Sequence, residues 1–325
     1  MASSHHTSTA NLAAPGTIAS ANEEFFSNSG ESILNQQWVK DVQTIMKQQL
    51  EDNIDWLGID TSDGPDRKKM LDYACGMGFL SVVSATLFLL TYTTTTIPIP
   101  PTNPSLSVFK TQVFHPFFSK CIGIDIAPGM IKAYSRTAAN LGLALERMYA
   151  VHADLSNPNH THAPAGGAGG VDLSSEEFSN FDFAGVALAL HHMEHPQEAV
   201  SRIVERLRPG GVFLAIDRPA ASGQGGGESG GDEGHAHGHG HGHGGHGGHS
   251  HSHGNDDDDR IDPNHPAAHT ISHTHASFSR EQVERMFADA GLVDVELLYF
   301  DYRGEVAGLP RGLGRLFFAR GRKAG

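Results

Sequence analysis

Short apolar runs alternate with amphipathic segments along most of the chain. Strands are predicted at residues 69–71, 120–125, 148–153, 181–190, 212–217, 293–300 and 315–320. Helices are predicted to begin at Pro128, Pro196 and Ser279, because proline at the first helical position and serine at the N-cap favour a helix start. Strands alternating with helices at this spacing predict an α/β fold with a doubly wound, mostly parallel seven-stranded sheet.

The segment before the first strand, residues 31–54, has apolar residues at roughly helical spacing. We interpret it as one amphipathic helix that either packs on the domain or covers its ligand site. The segment that follows, residues 60–67, contains Gly64-Pro65 and predicts a surface turn.

Three segments do not fit the alternation. Residues 1–22 are polar and predict a disordered tail, residues 85–118 form an irregular insertion, and residues 218–278 form a disordered insertion rich in glycine and histidine. The remaining residues, roughly 200, suit one α/β domain. We therefore predict a single domain over residues 23–325, interrupted twice.

The first insertion also shows in the spacing of two acids. Asp125 follows Asp72 by 53 positions, whereas a continuous βαβ unit places the second acid roughly 20 residues after the first. The extra residues follow the predicted first helix. They are interpreted either as a true insertion or as the product of an unspliced intron.

Composition excludes several functions. The formal net charge of −14 argues against a general nucleic-acid binder, which needs a basic surface. Only Cys75 and Cys121 are present, so we expect no disulfide framework or four-cysteine zinc site, and a reducing compartment. No targeting segment or apolar run long enough to cross a bilayer is visible. We expect a cytoplasmic protein without membrane contact.

The most informative stretch is the glycine turn of residues 74–78, which follows the first strand. Gly76 and Gly78 allow the backbone to approach a ligand where a Cβ would intrude. The pattern Gly76-x-Gly78-x-x-Ser81 also nearly matches the dinucleotide fingerprint, and a tight turn without any ligand is the third interpretation. The turn alone does not decide among them.

Three acids, Asp72, Asp125 and Asp154, follow the first three predicted strands. Asp125 is suited to accept hydrogen bonds from vicinal ribose hydroxyls, and Asp154 from an exocyclic adenine amine. Asp72, before the glycines, is better placed to organise the loop or attract a cationic group than to face a pyrophosphate, which disfavours NAD. The alternative for each acid is that it caps the following helix.

Taken together, these motifs resemble those of class I S-adenosylmethionine-dependent methyltransferases of the small-molecule type found widely in bacteria and fungi. The matching segments, in the family's order, are Leu71-Asp-Tyr-Ala-Cys-Gly-Met-Gly78, Gly123-Ile-Asp-Ile-Ala-Pro-Gly-Met130, Ala153-Asp154, residues 181–193, Leu207-Arg-Pro-Gly-Gly211 and the closing helix at 278–291. They cover most of the chain outside the insertions.

The resemblance implies methyl transfer from S-adenosylmethionine to a small-molecule acceptor. It implies that Asp125 holds the ribose, that Asp154 addresses the adenine, and that Ala189 or Leu190 lines the sulfonium side. Ala74 stands where the family usually has its first glycine. The cofactor-binding residues implied by the resemblance are Asp72, Ala74, Gly76, Gly78, Asp125, Ile126, Met130, Asp154, Leu155, Ala189 and Leu190.

Histidines follow the predicted fourth strand at His191, His192 and His195. At the mouth of the site, one of them could deprotonate an oxygen or nitrogen acceptor. The alternative is that they pack against or cap the next helix. We name His191 and His192 as the catalytic candidates.

The second insertion contains nine histidines between His235 and His253. Imidazoles at this density bind zinc, nickel or copper without a fixed geometry; the candidate ligands are His237, His239, His241 and His243. The alternative is a linker whose metal affinity is incidental. A second hypothesis is therefore a degenerate methyltransferase fold that acts as a metal-binding module, and a less favoured one is an NAD-dependent oxidoreductase.

Overall fold

The structure is a computed structural model that describes residues 17–59, 68–81, 114–156, 171–220, 277–309 and 314–325. Several predicted features lie outside these ranges: the helix after the glycine turn, the surface turn at 60–67, most of the insertion at 85–118 and the histidine tract. The described ranges contain all seven strands that the sequence predicts.

Seven strands form one sheet. They are β1 Lys69–Tyr73, β2 Lys120–Asp125, β3 Met148–His152, β4 Phe181–Ala187, β5 Leu207–Asp217, β6 Leu292–Asp301 and β7 Arg315–Lys323. The strand order is β3-β2-β1-β4-β5-β7-β6, with β7 antiparallel to β5 and β6 and the other pairs parallel. The predicted fold class is confirmed. The order reverses between β1 and β4, where such sheets form a ligand crevice.

Each face of the sheet has its own apolar core. Successive side chains of a strand point to opposite faces, so Leu71 and Tyr73 of β1 join one core while Met70 joins the other. Helices α6 Pro196–Glu205 and α7 Arg280–Asp289 pack into the first core, and α3 Gln37–Asp52 and α5 Pro128–Asn140 into the second. Buried apolar side chains contribute roughly 1.5–3 kcal/mol each, so both layers hold the strand ends in place.

The three helices that follow strands begin where the sequence predicts. Pro128 and Pro196 stand at the helix starts. Ser279 and Gln282 form a capping box, in which the Ser279 side chain accepts from the Gln282 N–H at 3.2 Å and Gln282 accepts from the Ser279 N–H at 2.7 Å. These starts depend on local chemistry, which is why the sequence reveals them. Within the described ranges, no helix combines the length and apolar character needed to cross a bilayer.

The N-terminal region differs from the prediction in two ways. Helix α1, Ile18–Asn28, lies partly within the predicted tail, and the single helix predicted at 31–54 is divided into α2 Gly30–Leu34, α3, and α4 Ile54–Leu57. The polar residues of α1 indicated an exposed tail, but two of them, Asn22 and Glu23, are buried. The Asn22 side chain donates to the main-chain oxygen of His192 at 2.7 Å, and Glu23 lies 3.5 Å from the His152 ring.

The boundaries of both insertions also need correction. Phe114 and Phe118 are fully buried in the second core, so residues 114–118 belong to the folded domain. Likewise, Phe278 is buried and pairs with Pro219 in a β-bridge. Two main-chain bonds support this bridge, from Phe278 N–H to the Arg218 oxygen at 3.0 Å and from Ala220 N–H to the Phe278 oxygen at 2.8 Å.

Several strand ends differ from the predicted ones, and β7 continues to Lys323 instead of residue 320. β1 continues through Tyr73, β4 ends at Ala187 instead of residue 190, and β5 begins at Leu207 instead of residue 212. β4 ends early because Leu188 has a positive φ of 53°, a left-handed conformation that interrupts the regular pairing of a strand. The residues after it form the short 3-10 helix Leu190–His192.

Candidate active site

A cavity of about 470 Å³ lies at the carboxyl ends of β1, β2, β4 and β5. One wall consists of residues that follow these strands, and the opposite wall comes from α1, α2 and α3. The apolar side chains of this second wall include Phe25, Phe26, Ile33, Leu34, Trp38 and Met46. The N-terminal helices therefore cover the crevice, and α3 also packs into the second core. Both alternatives given for residues 31–54, packing on the domain and covering the site, thus describe part of this segment.

The two glycines of the turn have different tasks. Gly76 lines the cavity, and a Cβ added to it would meet only Leu34, at 4.0 Å. Gly78 has a φ of +90°, and a Cβ there would lie 3.1 Å from Met148 and Tyr134. Gly78 is not among the cavity residues. Both glycines have a positive φ, which is +52° at Gly76, so both positions favour glycine. Gly76 alone leaves room for the close approach of a ligand, and Gly78 alone is also required by core packing.

Ala74 lines the cavity with a φ of +51°. This left-handed conformation costs a residue with a Cβ roughly 1–2 kcal/mol. The position is therefore one where glycine would be unstrained. That geometry gives a physical reason for the glycine usual at this position in the family that the sequence resembles.

Asp72 organises the glycine turn. Its Oδ2 accepts from the Ser81 N–H at 3.1 Å and from the Ser81 hydroxyl at 2.8 Å, and that hydroxyl also lies 2.7 Å from the Tyr134 hydroxyl. Burial raises the pKa of Asp72 to about 7, although the two Ser81 bonds oppose the shift. Of the two tasks weighed for Asp72, loop organisation is the one that its hydrogen bonds perform.

Asp125 connects the glycine turn to the start of α5. One carboxylate oxygen accepts from the Gly76 N–H at 2.9 Å and the other from the Ala127 N–H at 2.8 Å. Burial raises the pKa of Asp125 to about 6, against these backbone bonds. An ionised carboxylate has about four acceptor positions, so Asp125, which lines the cavity, keeps acceptor capacity for ligand hydroxyls.

Asp154 lies at the cavity after β3. Its Oδ1 accepts from the Ser156 N–H at 2.8 Å, from the Ser156 hydroxyl at 2.6 Å and from the Tyr73 hydroxyl at 3.1 Å. The Tyr73 oxygen in turn accepts from the Leu155 N–H at 3.2 Å. Because all the described bonds use Oδ1, the second carboxylate oxygen is the one left for a ligand.

The remaining cofactor candidates fall into two groups. Ile126, Met130 and Ala189 line the cavity. Leu155 and Leu190 are fully buried in the first core and do not belong to the described cavity wall. Their apolar side chains pack beneath the site, so only their neighbours along the chain contact its space.

His191 is held by an acid that the sequence argument missed. The His191 Nδ1 lies 2.7 Å from Oδ1 of Asp217, and its main-chain N–H donates to Oδ2 at 3.3 Å. Burial lowers the pKa of His191, although Asp217 opposes the shift. Burial alone would raise the pKa of Asp217, but His191 and Arg218 hold it below its ordinary value. Asp217 is thus ionised and accepts a hydrogen bond from Nδ1–H of His191, which leaves the ring's Nε2 unprotonated and able to accept a proton.

His192 and His195 also line the cavity. The His192 ring lies 4.0 Å from the His191 ring, centroid to centroid, and makes an edge contact with Phe26. The structure therefore places both predicted catalytic histidines at the cavity. The Asp217 carboxylate on its ring nitrogen makes His191 suited to act as a base.

Three residues at the site escaped the sequence analysis. Arg218 and Tyr302 line the cavity, and the fully buried Asp217 contacts the ring of His191. Asp217 had a signal, since it ends a predicted strand as Asp72, Asp125 and Asp154 do. Arg218 was assigned to the disordered insertion. Tyr302 follows the last residue of β6, away from every recognised motif.

The predicted metal ligands cannot be placed. His237, His239, His241 and His243 lie outside the described residues. Within the part of the chain that the structure describes, no group of three or more histidine, cysteine or acidic side chains could hold a metal ion. Metal binding by the tract stays a prediction.

Two solved structures have the same overall fold. Magnesium protoporphyrin IX methyltransferase from Synechocystis, with bound S-adenosylmethionine, is 10% identical over 97% of this chain and 100% of its own, with a TM-score of 0.50. Geranyl diphosphate C-methyltransferase from Streptomyces coelicolor is 12% identical over 96% and 100% of the two chains, also at 0.50. No curated protein sequence matches the chain.

The sheet order, the glycine turn and the acids at the strand ends define a class I methyltransferase fold. The family model described as a methyltransferase domain matches residues 42–297. Because this match covers more than half of the chain, the chain belongs to that family and is an S-adenosylmethionine-dependent methyltransferase. The alternative of an NAD-dependent oxidoreductase has no support from the match.

Proposed function

We propose that the protein transfers the methyl group of S-adenosylmethionine to an oxygen or nitrogen atom of a small molecule, with His191 as the general base. The observation that supports this most directly is the His191–Asp217 pair at 2.7 Å, because His191 lines the same cavity as Gly76, Asp125 and Asp154. Oxygen and nitrogen acceptors lose a proton on methylation, and a buried neutral imidazole can receive it.

The residues around Gly76 suit the cofactor. Space remains where a Cβ of Gly76 would point, since only Leu34 lies within 4.0 Å. Asp125 and Asp154 line the same cavity and keep free acceptor positions, as the ribose and adenine roles require. When bound there, S-adenosylmethionine supplies an activated methyl group on a sulfonium centre.

The protein's own contribution is positioning and proton removal. Methyl transfer needs an acceptor atom in line with the methyl carbon at about 3 Å in a dry site. The apolar side chains of Phe25, Phe26 and Trp38 on the covering wall exclude water. Asp217 holds the His191 ring in the tautomer whose Nε2 is unprotonated and can accept the proton.

Isothermal titration with S-adenosylmethionine, followed by methyl-transfer assays with radiolabelled cofactor and a panel of small phenols, amines and acids, tests the proposal. We expect binding in preference to NADH and turnover of at least one acceptor. His191→Gln should keep cofactor binding and lose most turnover. Binding of NADH instead, or full turnover by the variant, would overturn the proposal or its choice of base.

A further inference from the structure

Arg218 is a buried cation at the cavity. It follows directly after β5, lines the cavity and is only 3% exposed. Two of its guanidinium nitrogens, Nε and Nη2, are buried without a hydrogen-bond partner. No ion pair joins its side chain to an acid among the described residues. These two nitrogens lack both water and a partner, which is unfavourable unless a ligand supplies the missing acceptor.

Other partly unsatisfied arginines do not share this situation. Arg206 and Arg320 each leave Nε unpaired, yet Arg206 donates to the Arg202 oxygen at 2.8 Å and Arg320 to Glu296 at 2.5 Å. Neither lines the cavity. Arg218 therefore combines two features, an unpaired buried guanidinium and a place at the site.

The nearby acid does not satisfy the Arg218 side chain. Oδ1 of Asp217 accepts from the Arg218 main-chain N–H at 2.8 Å and from the His191 ring at 2.7 Å. The carboxylate is thus occupied by the backbone and the base. It holds the His191 ring and the main chain of Arg218 together, so the Arg218 side chain and the base lie in one corner of the cavity.

The strand order separates this corner from the cofactor side. Gly76, Asp125 and Asp154 follow β1, β2 and β3, whereas Arg218 follows β5, two strands beyond β1 in the order β3-β2-β1-β4-β5. Arg218 is also the one arginine or lysine among the described cavity residues. A ligand anion that binds Arg218 therefore lies on the side of the cavity away from the cofactor residues, where the methyl acceptor is expected.

We propose that Arg218 binds a carboxylate of the methyl acceptor, so that the substrate is a small acid whose oxygen or nitrogen nucleophile lies a few bonds from that carboxylate, next to His191. This inference rests on the proposed function. The guanidinium presents paired N–H groups that match the two oxygens of a carboxylate. Tyr302, buried beside the same cavity, adds an aromatic wall to this corner.

Binding measurements without turnover test the inference apart from the enzymatic activity. Acetate, benzoate and cinnamate, each compared with its neutral primary amide, are titrated into the full chain saturated with S-adenosylhomocysteine. We expect at least one carboxylate to bind tenfold or more tightly than its amide. Arg218→Met should remove that preference, Arg218→Lys should retain part of it, and the exposed Arg136→Met should leave it unchanged.

The outcomes separate the sources of the anion. No preference for carboxylates in the natural chain, or a preference that survives in Arg218→Met, would overturn the inference. A tenfold loss of S-adenosylhomocysteine affinity in Arg218→Met would assign the guanidinium to the cofactor's own carboxylate instead. Circular dichroism of each variant verifies folding. Failure of methyl transfer with intact carboxylate binding would refute the proposed function alone.

Discussion

The two halves of the site are built differently. On the side of β1 and β2, Asp72 and Asp125 accept hydrogen bonds from the glycine turn and its neighbours. Burial raises the pKa of both carboxyls. On the side of β5, Asp217 holds a histidine ring and its pKa is lowered. The acids of the first half hold the main chain of the glycine turn, whereas the acid of the second half orients the side chain of His191.

Under the proposed function, this difference separates cofactor binding from catalysis. A turn held by buried acids can be preserved while the acceptor side changes, because the two sets share no described hydrogen bond. Substitutions on the first side should alter stability and cofactor binding. Those on the second should alter turnover and acceptor choice.

Asp217→Asn should have the largest effect. The amide cannot hold the His191 ring as an ionised carboxylate does, so kcat should fall on the order of 10²–10⁴-fold, with the affinity for S-adenosylmethionine nearly intact. The acidic limb of the pH–rate profile should move to lower pH, because Asp217 supports the protonated ring. Steady-state kinetics across pH 5–9 measure both.

Asp182→Asn is the matched control. Asp182 lies at the opposite end of the sheet and pairs with the half-exposed Arg208 at 2.6 Å. Its pH–rate profile should match that of the natural chain. Equal losses in both variants would mean that Asp217 acts only through stability.

The two glycines of the turn should separate stability from binding. Gly78→Ala adds a Cβ 3.1 Å from Met148 and Tyr134 at a φ of +90°, and we expect it to lower the free energy of unfolding by about 3 kcal/mol. Gly76→Ala meets only Leu34 at 4.0 Å, so its stability loss should be about 1 kcal/mol. Calorimetric titration should instead show the larger loss of S-adenosylmethionine affinity in Gly76→Ala. The opposite ranking would contradict the assignment of the two glycines.

The titration of Asp72 should make the protein less stable as the pH rises. Its pKa of about 7 in the folded chain lies above the ordinary 3.8. The stability that follows from this raised pKa is complete below about pH 4 and is lost as the pH rises through about 7. Asp72→Asn stays neutral and keeps an acceptor for Ser81. It should be more stable than the natural chain by up to about 4 kcal/mol at pH 8, at about 1.4 kcal/mol for each pH unit between the two pKa values, and similar to it near pH 4. Urea unfolding measures this difference. A constant difference across pH would show that Asp72 does not titrate in this range.

The smallest effect is expected at Ala74. Replacing it by glycine removes the strain of a φ of +51°, against a gain of entropy in the unfolded chain, and should raise stability by about 0.5–1 kcal/mol. Thermal unfolding detects a change of this size. Asn180→Gly, at a φ of 57° far from the turn, provides a comparison, since asparagine tolerates this conformation better than alanine.

Local signals account for what the sequence predicted. The strands appear as apolar runs, Pro128 and Ser279 mark helix starts, and Asp125 stands at the end of its strand. Each of these depends on a few neighbouring residues. The wrong boundaries have the opposite cause: Asn22 and Phe114 are buried by contacts with distant parts of the chain, which no local pattern reveals.

The site shows the same division. Gly76, Asp125 and Asp154 belong to motifs, so the sequence named them. The His191–Asp217 pair joins residues 26 positions apart. Neither residue alone indicates a base held by a carboxylate, so the sequence does not reveal the pair. Arg218 stands next to the glycine- and histidine-rich stretch, and its burial could not be expected from a polar neighbourhood.

The bridge between Pro219 and Phe278 has a consequence for how the gene can change. It fastens the two ends of the second insertion beside β5, so the number of residues between them does not set the position of Arg218. Closing a longer loop costs little, about 0.6 kcal/mol for each doubling in length. We therefore expect the position of Arg218 to tolerate changes in the number of residues between Pro219 and Phe278.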